Sequence, residues 1–364
     1  MAIRYPAEIR CQKELEALKL ADTYPKPQGW LLSPRMVELF ILGSDQEFMT
    51  EDGEKIRIRP KYWGDRTLIQ VAIATLASDR GLMLAGEPGT AKSWLSEHLS
   101  AAISGTSQLI IQGTAGTNED QIKYTWNYAM LIAQGPTPEA LVESPMMAGM
   151  KKGQLVRFEE LTRCHSQIQD VMISILSEKQ ISIPELNTVV YAEKGFNVIA
   201  TANTADKGVN EMSAALKRRF NFVIIPVLAD LEQEIKVVEE RTKEAVTQLG
   251  IEPEISPDLI RLMTTVFQEL RRGKTLDRQI QIKKPSTVLS TAELISVMSN
   301  SALLSAYFGE GIVGMKEVVR SMFGAVSKEN DADLEVIKDY VETVVRDRQE
   351  QPWQEFYQIC KEQL

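Results

Sequence analysis

The stretch that decides the reading is Gly86-Glu87-Pro88-Gly89-Thr90-Ala91-Lys92-Ser93. It follows a short apolar run, Gly81-Leu82-Met83-Leu84-Ala85, and leads into a helix that starts near Lys92. A glycine-rich loop between a buried strand and a helix turns successive backbone N–H groups toward one point, and the helix N-terminus adds its dipole. That is a phosphate cradle, with Lys92 set to reach β and γ oxygens and Ser93 set to hold Mg²⁺. The usual pattern carries Gly just before the Lys, where this chain has Ala91. The extra methyl group is acceptable if that residue keeps a helical φ. An ordinary strand–loop–helix turn would use the same glycines, but the flanking strand and helix favour a nucleotide.

Three further elements lie downstream. Leu155-Val156-Arg157-Phe158-Glu159-Glu160 reads as a strand ending in two carboxylates. Glu159 would join the Mg²⁺ shell, and Glu160 would orient and activate an attacking water. Arg157 interrupts what should be an apolar strand. Ala200-Thr201-Ala202-Asn203 closes another apolar run. A polar amide at such a strand end faces the ligand crevice, so Asn203 would contact the γ-phosphate or the lytic water. Leu216-Lys217-Arg218-Arg219-Phe220 supplies cations, and Arg219 is the candidate to enter a neighbouring subunit's site and offset transition-state charge. A solvated basic helix end is the plainer alternative.

The 364 residues carry 41 Lys+Arg against 50 Asp+Glu, a net charge of −9. The last 37 residues hold ten acids and five bases, so over half of that charge lies far in sequence from the loop. An acidic chain disfavours nucleic acid and anionic membrane as principal ligands. Two histidines and three scattered cysteines provide no zinc spacing and no disulfide framework. No apolar run approaches the roughly 20 residues of a membrane span, and the first residues lack a signal-peptide core. The expectation is a soluble, cytoplasmic protein. His98 reads as a helix-surface residue. Cys164-His165 reads as a helix start packed under a hairpin, and Met146, Met147 and Met150 as packing.

Alternating strands and helices over residues 61–226 imply an α/β core with a parallel sheet between helices. ISIPELNTVVYAEKG, residues 181–195, reads as an inserted β-hairpin. Residues 227–364 read as helical, with Ser256-Pro257-Asp258 opening one helix. Residues 1–60 look like an extension with a helix over 8–21, a helix capped by Ser33-Pro34 and closed by Gly43, and a strand at Lys55. Tyr124, Trp126 and Tyr128, with Lys123, form an aromatic cluster that could grip a polypeptide or stack on bases; their alternation equally fits one face of a strand.

The order of these elements resembles the AAA+ ATPases and, within them, the MoxR family. GEPGTAKS matches that family's Walker A loop. Residues 157–183 resemble its Walker B strand, following helix and pre-sensor hairpin, and residues 200–220 its sensor-1 Asn and arginine-finger segment. The resemblance covers about residues 61–304. It implies hydrolysis of Mg-ATP, a homo-hexameric ring, an all-α lid, and chaperone-like remodelling of a protein client. Partnership with von Willebrand factor A domain proteins also follows from it. Two departures stand out. Glu159 replaces the family's Asp, and Lys284-Pro285-Ser286-Thr287-Val288 lacks the Arg of its sensor-2 stretch. Both leave open a nucleotide-gated scaffold with weak hydrolysis. A nucleic-acid motor is disfavoured by the charge.

Overall fold

The sheet at the centre is built from five apolar runs. They are β1 (Gly81–Gly86), β2 (Ile110–Gln112), β3 (Leu155–Glu159), β4 (Asn197–Asn203) and β5 (Phe220–Ile225), in the spatial order β5-β1-β4-β3-β2. Every neighbouring pair is parallel. Parallel strands covered on both faces read as continuous apolar runs, and all six residues of β1 are buried. The fold is α/β, with a parallel sheet flanked by helices and a helical C-terminal region. The strand β5 had no counterpart in the sequence reading; its residues Phe222 and Ile224 stay exposed. The computed structural model describes residues 4–204, 210–252, 254–277, 280–326 and 331–363. Residues 205–209, inside the segment expected to carry the arginine finger, fall outside the described residues, as does Lys328.

Two compact units result: Met1–Glu87 with Ala91–Ile225, and Pro88–Thr90 with Pro226–Leu364. In the first, the N-terminal sixty residues share one apolar core with the helix Lys92–Ser104. Leu18, Leu32, Val37 and Phe40 cluster with Leu95, Leu99 and Ile103. Each such side chain contributes about 1.5–3 kcal/mol by burial. Ser33 caps the helix Pro34–Leu42 by accepting from Met36 N, and Gly43 ends it at φ 79°. The single helix expected over 8–21 is two, Ala7–Arg10 and Gln12–Ala21, broken at Cys11. Lys55–Ile58 pairs antiparallel with Ser44–Met49.

This N-terminal packing overturns one expectation. His98 is fully buried, not on the surface. It packs against Trp94 with ring centroids 4.3 Å apart and meets Phe40 at 6.0 Å. The helix turns its outer face to the N-terminal segment: Glu97 pairs with Arg4 and Arg10, and Arg10 lies 4.6 Å over the Trp94 ring. Met146, Met147 and Met150 are core residues.

Two further hairpins decorate this unit. Gln180–Ile183 pairs with Thr188–Tyr191, as expected. Tyr124–Trp126 pairs with Leu141–Glu143, and the strand ends there. Tyr128 therefore leaves the expected strand face and opens the short helix Tyr128–Gln134, none of whose residues is buried. Tyr124 donates to Glu185 at 2.9 Å, joining the two hairpins. Its phenol is pushed up to about 12, by burial first and then by that carboxylate.

The second unit is helical. Pro257–Arg272 buries Leu259, Met263, Val266 and Leu270 as its period predicts, and Gly273 terminates it at φ 73°. Arg271 does more than complement a helix dipole. It forms a buried ion pair with Glu234 at 2.7 Å and donates to Leu289 O and Leu228 O. A second buried carboxylate, Glu269, accepts from Arg348 and Tyr340, each at 2.6 Å. Among the described residues, no helix is long and apolar enough to cross a membrane.

Candidate functional site

The parallel register sets the site. Asn203, the last residue of β4, pairs with Gly86, the last of β1, so the polar amide stands beside the start of the loop. Thr204 N donates to Gly86 O at 3.1 Å and holds the two strand ends together. Lys92, buried at the first turn of its helix, folds back along the loop. Its Nζ donates to Glu87 O at 2.7 Å and Gly86 O at 3.1 Å. Burial lowers the Lys92 pKa below 10.5, opposed by the charges of Glu160, Glu159 and Glu87.

Ala91 departs from the sequence expectation. It sits at φ 64°, ψ 23°, in the left-handed region and not at a helical φ. For a residue with a Cβ this conformation costs roughly 1–2 kcal/mol. The Gly of the usual pattern would adopt it freely. Glu160 is also left-handed, at φ 55° and ψ 44°. Two such residues flanking a candidate site are the places where strain is held by surrounding structure.

Glu159 is 3% exposed and accepts four hydrogen bonds. Its Oε2 takes Ser93 Oγ at 2.7 Å and Thr201 Oγ1 at 2.8 Å. Its Oε1 takes Ser96 Oγ at 2.6 Å and the Arg157 guanidinium at 2.8 Å. Glu159 and Ser93, read from sequence as metal ligands, are therefore adjacent. Glu160 is half-buried; its N–H donates to Thr201 Oγ1 at 2.9 Å, and its carboxylate pairs with Arg163 at 2.5 Å. Gly113 packs against this turn: its N–H donates to Glu159 O, and a Cβ there would stand 2.5 Å from Glu160 O.

The sequence reading missed Arg157, Ser96 and Thr201. Arg157 stood out only as an interruption. Ser96 lies one helical turn after Ser93, on the same face. That spacing was the available signal.

Arg219 stands apart from these groups. Its Nε donates to Ser177 Oγ at 3.0 Å and a terminal nitrogen donates to Ala215 O at 3.1 Å. Arg218 is exposed. In the second unit, the stretch expected to act as sensor 2 is engaged by Asp333. Ser286 N and Thr287 N donate to its carboxylate at 2.7 and 2.9 Å, and both hydroxyls follow. Cys164 is buried and its thiol is pushed up by burial, as expected of a packing residue. His165 is the exposed residue preceding the helix Ser166–Glu178.

A phosphate-type loop after β1, an acid pair ending β3 and a polar end on β4, all on a β5-β1-β4-β3-β2 parallel sheet, define a P-loop protein of the AAA+ class. Residues 81–220 match the AAA domain of the dynein-related subfamily, and residues 232–363 match the YehL-like AAA+ ATPase C-terminal domain. The uncharacterized protein YehL of Escherichia coli (strain K12) is 39% identical over 358 residues, 98% of this chain and 96% of that protein. An uncharacterized protein of Staphylococcus aureus (strain USA300) is 27% identical over 157 residues, 43% of this chain and 59% of that one. Among solved structures, NtrX from Brucella abortus is similar in fold, with a TM-score of 0.50 at 13% identity. That likeness covers 82% of this chain and 61% of NtrX, so the chain matches about three fifths of that protein's length. The chain belongs to the YehL-like AAA+ ATPases.

Proposed function

We propose that the chain hydrolyses Mg-ATP to ADP and phosphate and uses the cycle to remodel or assemble a protein client. The observation that carries this is the contact of Ser93 Oγ with Glu159 Oε2 directly beneath a lysine-bearing phosphate loop. A hydroxyl and a carboxylate oxygen are the hard donors Mg²⁺ prefers. The donor set therefore fits that ion, which Ser93 and Glu159 would hold. When bound, the ion would neutralise charge on the β and γ oxygens.

The chain's own groups do the rest. Backbone N–H groups of residues 86–93 receive the phosphates. Lys92 exchanges its two carbonyl partners for phosphate oxygens. Glu160 leaves Arg163 and takes a proton from the attacking water, and Asn203 orients that water or the γ-phosphate. Arg219 leaves Ser177 and reaches a neighbouring copy's site in a homo-hexamer. Tyr128, 64% exposed, and Ile132, 86% exposed, are the apolar surface offered to the client. The resemblance to the MoxR family supports a von Willebrand factor A domain protein as partner and the cytoplasm as location.

A second reading is a nucleotide-gated scaffold that hydrolyses poorly. It is favoured by Ser286 and Thr287 being engaged by Asp333 where a phosphate-reading Arg would stand. ATP turnover by the wild-type chain and by Glu160→Gln decides between the two. Turnover abolished by the substitution supports hydrolysis; equal, near-zero rates in both support the scaffold.

A further inference from the structure

Strand β3 alternates in the ordinary way. Val156 and Phe158 join one apolar core, and Leu155 joins the other, the one containing the helix Lys92–Ser104. Arg157 and Glu159 share the face of Leu155. A guanidinium is thus buried, 8% exposed, under the helix that carries the phosphate loop. Replacing a buried ion pair with apolar residues of similar volume is often neutral or stabilising. Stability alone therefore gives no reason for an Arg at this position.

Its contacts suggest what it does instead. Nε donates to Ser96 Oγ at 3.0 Å, and one terminal nitrogen donates to Ser107 O at 3.2 Å. The other terminal nitrogen donates both to Ser93 O at 3.1 Å and to Glu159 Oε1 at 2.8 Å. One nitrogen thus ties the main chain of one proposed metal ligand to the carboxylate of the other. With Ser96 it also occupies Oε1, which leaves Oε2 on the side of Ser93 and Thr201. The planar fork makes these bonds at fixed mutual angles, which an ammonium does not reproduce.

We infer that Arg157 is a positioning residue: it fixes the separation and orientation of Ser93 and Glu159 and so sets how tightly the site takes Mg²⁺ with nucleotide. The inference rests on the Mg-ATP reading above. Groups that hold metal ligands from behind typically change metal affinity 10- to 100-fold when removed.

The test uses the full chain and N-methylanthraniloyl-ATP, titrated with and without Mg²⁺. In Arg157→Met the ratio of the two affinities falls about tenfold, and the Mg²⁺ concentration for half-maximal binding rises by a similar factor. Arg157→Lys recovers only part of this. Ser96→Ala, which leaves no buried charge unpaired, shifts half-saturation by about threefold in the same direction. Thermal melting is followed in each variant. A lower Tm with an unshifted Mg²⁺ half-saturation makes Arg157 a packing residue and overturns the inference. If Arg157→Met does not fold, Arg157→Lys and Ser96→Ala carry the test, and no shift in either overturns it. A wild type whose affinity ignores Mg²⁺ overturns the Mg-ATP reading as well. A responsive wild type with unshifted variants overturns only the role of Arg157.

Discussion

Ser93 Oγ donates to Glu159 Oε2 at 2.7 Å, across 66 residues of sequence. The contact depends on the longer acid. Glu159 reaches Ser93, Thr201, Ser96 and Arg157 together, and the pocket is built to that length. Glu159→Asp would restore the residue most such motifs carry, yet it withdraws the carboxylate by about 1.5 Å, one C–C bond. The expected outcome is a loss: Mg²⁺ half-saturation of nucleotide binding rises about tenfold. A titration showing tighter Mg²⁺ binding in Glu159→Asp would mean the pocket does not fit Glu.

Ala91 holds a left-handed conformation, and the substitution that relieves it is simple. Ala91→Gly removes roughly 1–2 kcal/mol of steric cost and gives back part as unfolded-chain entropy. A net gain of about 0.5–1 kcal/mol is expected, seen as a rise of roughly 1–4 °C in the melting of the unit containing the sheet. Ala91→Val should move the transition the other way by more, because a β-branched side chain fits this conformation worst. Thermal melting of the two variants beside wild type checks the sign.

Much of this was legible in the sequence, and the reasons are local. The apolar run before Gly86, the Ser33 and Gly43 caps and the inward face of Pro257–Arg272 all follow from nearest neighbours and helical period. What escaped depends on groups remote in sequence. Arg157 is tolerated in a buried strand because Ser93, Ser96 and Ser107 supply partners 50 to 64 residues away. His98 is buried because the N-terminal segment covers its helix, a fact carried by Arg4 and Arg10 reaching Glu97 across 93 and 87 residues. Ala91 illustrates a third kind of miss: its φ follows from loop closure, and residue type alone pointed the wrong way.

Arg219 is anchored to Ser177 and Ala215 within its own chain. If it serves a neighbour's site, Arg219→Ala leaves nucleotide affinity near wild type and lowers turnover by about 10³-fold or more. Glu160→Gln should be equally inactive for a different reason. Mixing the two variants then restores turnover that neither shows alone, because some interfaces combine an intact Glu160 with an intact Arg219. Steady-state assays of the mixture against each variant check this. No recovery at protein concentrations where wild type is active would place Arg219 outside the catalytic interface.

Asp333 holds Ser286 and Thr287 through two backbone N–H groups and two hydroxyls. Burial alone would raise its pKa, but these hydrogen bonds outweigh it and bring the carboxyl below its ordinary 3.8. The sign of the pH dependence follows. With the folded value depressed, the contribution to stability is complete above the unfolded value and is lost as pH falls through the folded one. Exchange protection of the Ser286 and Thr287 amides should therefore hold near neutrality and fall as pH drops below about 4. Asp333→Ala should cost about 2 kcal/mol, because it leaves the N–H groups without their acceptor. Asp333→Asn keeps one acceptor oxygen and should flatten the acid limb while retaining part of the protection. Hydrogen exchange across pH in the three proteins separates these outcomes. An acid limb of equal depth in Asp333→Asn would assign the loss to another carboxylate, with buried Glu269 and Glu234 of the same unit the next to substitute.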